Sequence, residues 1–221
     1  MIETELFARW PYDQALSWMI NTQSRVERDP HLVVVGVGSH QEPVITLGKN
    51  PLTSIIHQEK LSKRPEVIIR AIERGGGATV HEPGQIVLYP ILNIKFHGLL
   101  VKDLACLLER TMINFLTRFG LSGVRGEGSP GIFIGREKIG FIGLRIKQDI
   151  SSHGMALNVL NDGHLFGAID PCGISGLKVT SLYRHAGVGA DIGPLLGFMG
   201  EDFRSNFLTL SVANNGIAKT L

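Results

Sequence analysis

Cysteine is nearly absent from this chain: Cys106 and Cys172 are the two thiols in 221 residues. That count excludes a disulfide-stapled scaffold and fits a reducing compartment. No charge of one sign dominates either, since 22 Lys plus Arg face 20 Asp plus Glu for a formal net charge of +2. A strongly basic nucleic-acid binder is therefore not expected, although a local basic patch remains compatible with the composition. No stretch approaches the run of about 18 apolar residues that a membrane span needs. Residues 1–10 show no basic segment leading into an apolar one, so no secretory signal is expected. Metal-ligand spacings are missing too: there is no HExxH, no CxxC and no close His/Cys cluster. The expectation is a cytoplasmic protein without metal or cofactor, and without nucleic-acid or membrane partners.

What is present is enough apolar material for a full core, 43% against 19% charged residues, which excludes disorder. Glycine is abundant at 27 residues, so the backbone turns tightly in many places. No repeat or low-complexity linker divides the chain, and a single catalytic domain over residues 1–221 is expected.

Apolar spacing predicts a helix over Tyr12–Arg28, stopped by Asp29-Pro30. A buried strand is expected over Leu32–Val37 with Val44–Leu47 as its neighbour, the turn being Ser39–Pro43. Thr53–Leu61 reads weakly as helix, and Val67–Ile72 is ambiguous. Ile86–Ile94 reads as a strand whose Pro90 places it at an edge, a strand end or a bulge. Leu104, Leu107, Leu108, Met112, Phe115, Leu116 and Phe119 form the stripe of a helix over Val101–Phe119, with Gly120 closing it. Ile132–Ile134 and Lys138–Ile146 predict a hairpin around a three-residue loop, Gly135-Arg136-Glu137. Met155–Leu160 reads as a strand and Pro194–Phe207 as a helix. Strands and helices mix without a βαβ rhythm, so the fold class is α+β or α/β with a mixed sheet.

The densest motif is RGGGATVHEPGQ, Arg74–Gln85. Three consecutive glycines leave backbone N–H groups unshielded, so a carbonyl or anion can approach closely. Neither a P-loop nor a GxGxxG fingerprint is present, and a plain glycine-rich turn fits the spacing as well as a ligand loop does. His81 and Glu82 are adjacent on a predicted strand and point to opposite faces. Cys172 lies in Asp170-Pro171-Cys172-Gly173, a turn that can expose a thiol and leave the following N–H groups free as an oxyanion hole. The alternative is a small buried hydrophobe. Cys106, within the predicted helix near its apolar stripe, is expected in the core. A nucleophilic thiol needs a neighbour that takes its proton, and the chain offers Lys138, Lys178, His81, His153, His164 and His185. Spacing does not choose among them, although Lys138 opens an apolar strand, KIGFIGL, where a lysine would be partly desolvated.

These segments together resemble the lipoyl(octanoyl) transferases of lipoate biosynthesis. The likeness is carried by RGGGATVHEPGQIVLYPI, GREKIGFIGLRI, HGMALNV and IDPCGISGLKVTSL, in order along the chain, and weakly by EPVITLGKN. It implies the mixed-sheet fold of the lipoate and biotin protein ligase catalytic domain. It implies transfer of an octanoyl group from acyl-carrier protein to a lysine on lipoyl domains of 2-oxoacid dehydrogenases or on the glycine cleavage H protein, without a cofactor. Cys172 matches the cysteine that carries the acyl thioester, and Lys138 the lysine that favours its thiolate and moves protons. Arg74, Gly75, Gly76, Gly77, Ala78, Thr79, Val80 and His81 match one substrate-binding stretch. Phe141, Ile142 and Gly143 match a second, and Gly154, Met155 and Ala156 a third. The chain departs from the family pattern at Val80, usually aromatic, at Glu82, usually glycine, and at Phe141, where a small residue is commoner. Glu82 is expected to add negative charge beside a loop that faces an acidic carrier protein. Two rival readings share this pattern: an ATP-dependent lipoate or biotin-type ligase, which needs no cysteine nucleophile, and an inactive module that only binds lipoyl domains.

Overall fold

The computed structural model describes residues 1–217 apart from Ser129, Val188 and Ala190. Its frame is a seven-stranded mixed sheet in the order β1-β2-β6-β10-β9-β8-β7. The strands are β1 (Ile2–Trp10), β2 (Val33–His40), β6 (Gln85–Ile91), β7 (Val124–Arg125), β8 (Gly131–Ile134), β9 (Glu137–Lys147) and β10 (Ile150–Asn158). β1 runs parallel to β2 and every other neighbouring pair is antiparallel. A second sheet of three strands has β3 (Val44–Leu47) between β4 (Ile68–Ala71) and β5 (Ala78–His81).

The period-2 alternation of the central strands assigns each face a helical layer. Val33, Val35 and Val37 of β2, Ile86 and Leu88 of β6, and Met155 and Leu157 of β10 join one core with α3 (Val101–Thr117) and α5 (Gly193–Ile217). Val34, Val87, Tyr89 and Ala156 face the other way, against Ala15, Met19 and Val26 of α1 (Tyr12–Arg28). Covered on both sides, β2 and β6 are buried throughout and read as continuous apolar runs. No helix among the described residues is long and apolar enough to cross a membrane. The remaining helices are short, α2 (Gln58–Leu61) and α4 (Leu182–Ala186).

Several sequence expectations change here. Val44–Leu47 is a strand, but it pairs with β4 and β5 in the small sheet and not with β2. The Thr53–Leu61 helix reduces to a 3-10 turn at Pro51–Thr53 and the single turn of α2. Pro90 lies in a central strand opposite Val35, not at an edge, but it is the penultimate residue of β6, in keeping with the strand-end alternative. It is tolerated because the β10 ladder onto β6 ends at the Met155–Leu88 pair, and Ser151 Oγ donates to the Pro90 carbonyl at 2.7 Å instead. The hairpin between β8 and β9 closes with two residues, Gly135 taking φ 58°. Cys106 is exposed and not in the core. At about 100° per residue it falls roughly opposite the Leu104–Leu108–Phe115 stripe, on the solvent side of α3.

Candidate active site

A cavity of about 600 Å³ opens where the small sheet meets the β9–β10 end of the large one. One wall is the loop and strand from Arg74 to Thr79, with His81. Another is β9 from Phe141 to Leu144, and a third is His153 to Ala156 of β10. Tyr89 of β6, Val101 and Ala105 of α3, Asn50, Thr53, Ile72, Gly128 and Pro130 also line it, as do Cys172 and Ile174. Val80 alone of the expected binding residues is absent from the lining; it is fully buried in the small-sheet core beside Ile45. Thr79 Oγ1, by contrast, is a buried hydroxyl of the lining with no hydrogen-bond partner among the described residues, a polar group left for a ligand.

Cys172 occupies a 3-10 turn, Pro171–Gly173, and is exposed, so the buried alternative does not hold. Its φ of 59° is unusual for a residue with a Cβ and costs about 1–2 kcal/mol. Bracing comes from Asp170, the residue that precedes the turn, through both its side chain and its backbone. His57 Nε2 and Asp170 Oδ1 are 3.1 Å apart, and the Asp170 N–H donates to the Ile55 carbonyl. The N–H groups after the thiol are not free: Gly173 donates to Asp170 and Ile174 to Pro171. The expected oxyanion hole is therefore not formed by those two donors, because closing the 3-10 turn consumes them.

Lys138 is 0% exposed, and its Nζ donates to Cys172 Sγ at 3.4 Å and to the Pro130 carbonyl at 3.1 Å. The local sequence folds this way because of a β-bulge. Gly131 and Ile132 pair with Phe141 and Gly140, whereas Phe133 and Ile134 pair with Lys138 and Glu137, which leaves Ile139 as an extra residue in β9. The bulge reverses the alternation, so Lys138 and Phe141, three residues apart, share the face that looks onto the cavity. The Lys138 backbone is also clamped to a second segment, through its N–H to Lys178 O and the Thr180 N–H to its own carbonyl. Gly131 makes room for the lysine stem, since a Cβ there would lie 2.9 Å from Lys138 Cε.

The other candidate proton acceptors separate. His164 hydrogen-bonds locally within 162–164 and lies outside the cavity. His185 pairs with Thr180 Oγ1 at 3.0 Å, and Lys178 contributes a backbone carbonyl. His81 and His153 line the cavity but as neutral rings. Burial first, then neighbouring cationic groups that include Arg74, pushes His81 well down, and burial with Arg74 brings His153 to about 4. His81 Nδ1 sits 2.8 Å from Gln85 Oε1. Glu82, expected on an outward loop, is 8% exposed and accepts hydrogen bonds from Asn161 Nδ2 and the Leu165 N–H, with burial raising its carboxyl above the usual range. It points into the fold beside the 163–168 turn and presents no surface charge.

Arg74 is the buried cation of the wall, 6% exposed. It bonds Thr46 O and Oγ1 and Gly75 O, and burial lowers its proton affinity. Lining residues that sequence reasoning did not select include Asn50, Thr53, Ile72, Tyr89, Val101, Ala105, Gly128, Pro130 and Ile174, from segments distant along the chain, and Leu144 beside the selected Phe141–Gly143. Their signal is tertiary only. Among the described residues no group of three or more His, Cys, Asp or Glu side chains could hold a metal ion.

A model of the lipoyl protein ligase A/B catalytic domain matches residues 12–197. The chain belongs to that family. Among relatives, an octanoyltransferase of Desulfotalea psychrophila is 41% identical over 67% of this chain and 68% of its own. One of Maridesulfovibrio salexigens is 36% identical over 77% and 80%. Among solved structures, a bipartite lipoate protein ligase from Thermoplasma acidophilum, described with its E2 lipoyl domain, superposes with a TM-score of 0.68. It does so at 15% identity, over 93% of this chain and 84% of that one. A biotin protein ligase from Aquifex aeolicus in complex with biotin and ATP gives 0.53 at 11% identity, over 95% and 72%. At these identities the structures establish the shared fold, as the family resemblance implied.

Proposed function

We propose that this family member is an octanoyltransferase that moves the acyl group from acyl-carrier protein to a lysine of lipoyl domains through a thioester on Cys172. The relatives named octanoyltransferase support the reaction class. The observation that carries the mechanism is Lys138 Nζ at 3.4 Å from Cys172 Sγ, beside a largely apolar cavity. The Cys172 thiolate attacks the carrier thioester carbonyl; the new C–S bond forms as the carrier C–S bond breaks, the leaving carrier sulfur takes a proton from the Lys138 ammonium, which leaves Lys138 neutral, and thioester exchange is nearly isoenergetic, so ATP is not required. The acceptor lysine amine then attacks the acyl-Cys172 carbonyl, Lys138 in its neutral form takes the amine proton, and Cys172 leaves as thiolate. Amide formation makes this second step downhill. The cavity supplies about 0.8 kcal/mol for each CH₂ of the acyl chain it buries. The Gly76 and Gly77 N–H groups, without partners among the described residues, are candidate donors to the developing oxyanion.

Octanoyl-carrier protein and a lipoyl domain, mixed with the protein in the absence of ATP, should yield octanoylated lipoyl domain. Intact-mass spectrometry should show an octanoyl adduct on the parent and none on Cys172→Ser. Transfer that appears only when octanoate and ATP are added would assign the chain to the ligases instead.

A further inference from the structure

Phe141 departs from the family pattern, and its place in the fold gives that departure a use. Lys138 Nζ lies 5.3 Å from the centroid of the Phe141 ring and 5.4 Å from that of Phe133. Both distances fall within the roughly 6 Å reach of a cation–π contact. The two rings arrive by independent routes. Phe133 is the cross-strand partner of Lys138 in β8. Phe141 reaches the same face because the bulge at Ile139 reverses the strand alternation. Phe141 is fixed in turn by stacking on Phe166, with ring centroids 4.7 Å apart and planes within 14°. A lysine with no exposure loses its hydration. Two ring faces, the Pro130 carbonyl and the Cys172 sulfur replace part of that hydration.

Charged groups at the Cys172 turn, at the Gly131 backbone and on the cavity wall have partners among the described residues. Asp170 is tied to His57, Glu109 to Arg125 and the Gly131 N–H, and Arg74 to Thr46.

We infer that Phe141 and Phe133 form a two-sided aromatic seat that holds Lys138 as an ammonium against Cys172, making both phenylalanines positioning residues for the acyl transfer. The inference rests on the reading of Cys172 as nucleophile and Lys138 as its proton partner. Because Phe141 is also a cavity wall, the same ring meets the acyl chain and the cation.

The test is the pH dependence of Cys172 alkylation by iodoacetamide, followed by intact mass on the full chain, with Cys106→Ser as background. Phe141→Leu and Phe133→Leu should each shift the profile to higher pH and slow alkylation about threefold at neutral pH. Phe141→Tyr, which keeps the ring, should restore the parent profile. In a Lys138→Met background, Phe141→Leu should add no further shift. Leucine variants with the parent profile overturn the seat, as does an equal shift with and without Lys138. If Lys138→Met itself leaves the parent profile unchanged, the Lys138–Cys172 pair falls, and the aromatic seat falls with it.

Discussion

His40, His81 and His153 are buried within a few ångströms of the cavity wall, and burial holds them neutral, His40 and His153 at about 4. His40 lies between the Trp10 carbonyl and the Tyr89 hydroxyl, at 3.0 and 2.9 Å. Their linkage to stability has a definite sign. The unfolded rings take up protons near pH 6.5, whereas folded His40 and His153 resist until about 4 and burial holds folded His81 well below its usual range, so the unfolded state binds more protons in between. Stability is therefore intact above about 6.5 and is lost as the pH falls toward 4, by roughly 3 kcal/mol for each fully shifted ring. Glu82, with its affinity raised, contributes with opposite sign and offsets part of the loss at the acid end. Urea midpoints measured from pH 7.5 to 4.5 should fall steadily; a level series would mean that these rings are solvated. A second residue-scale expectation concerns His57. Removing it leaves the Asp170 carboxylate, whose side chain is 13% exposed, without its partner next to the strained Cys172 turn. His57→Ala should slow acyl-enzyme formation about tenfold, and His57→Gln less. Single-turnover acylation monitored by mass reads this directly, and equal rates in all three proteins would remove the brace.

At the scale of elements, the bulge in β9 explains both what the sequence revealed and what it concealed. The 3.6-residue stripes of α1 and α3 were legible because each helix buries one face, and β2 and β6 were legible as apolar runs, whereas β10 was read from Met155 only and its polar first half, Ile150–Gly154, was missed. The N-terminal strand β1 was not, because its burial alternates only loosely along an exposed edge. The position of Lys138 was legible as an oddity, a lysine opening an apolar strand, but its pairing with Cys172 was reached through family resemblance and not through spacing. Strict alternation would have set Lys138 and Phe141 on opposite faces; one extra residue at Ile139 undoes that, and no composition signal marks it. The contact between Gly143 and Arg74 is equally tertiary. A Cβ on Gly143 would stand 2.8 Å from Arg74 Cδ, and next to it the Gly75 N–H bonds the Leu144 carbonyl at 2.9 Å. Gly143→Val should thus displace the glycine loop from β9 and cost about 1–3 kcal/mol of stability. Gly167→Ala, with open space around the new methyl, should stay within about 0.5 kcal/mol of the parent. Denaturant unfolding of the two variants gives the comparison, and equal losses would show that the loop does not depend on this close approach.

For the whole molecule, the cavity is a seam between layers, and its depth is set by elements far apart in the chain. Its lining draws together Cys172 and Arg74 with the α3 side chains Val101 and Ala105, one helical turn apart. Ile72, Ile142 and Leu144 line it with apolar surface, whereas His81, Tyr89 and His153 offer polar edges. An alkyl chain leaving the Cys172 thioester is driven toward the apolar part, because burying methylenes against imidazoles and a phenol forfeits hydrogen bonding there. Ala105 of α3 is a lining residue from which a longer side chain would reach into that space. Replacing Ala105 by Phe, on a half-buried helical position that tolerates a large side chain, should shorten the accessible depth without touching the Cys172 turn. If two methylenes lose their place, the cost is about 1.6 kcal/mol, or roughly fifteenfold in acylation by octanoyl-carrier protein. Hexanoyl-carrier protein should acylate Cys172 at nearly the parent rate, so the ratio of the two donors reports the geometry independently of any general loss of activity. A uniform fall for hexanoyl and octanoyl donors would mean that the acyl chain does not run toward α3.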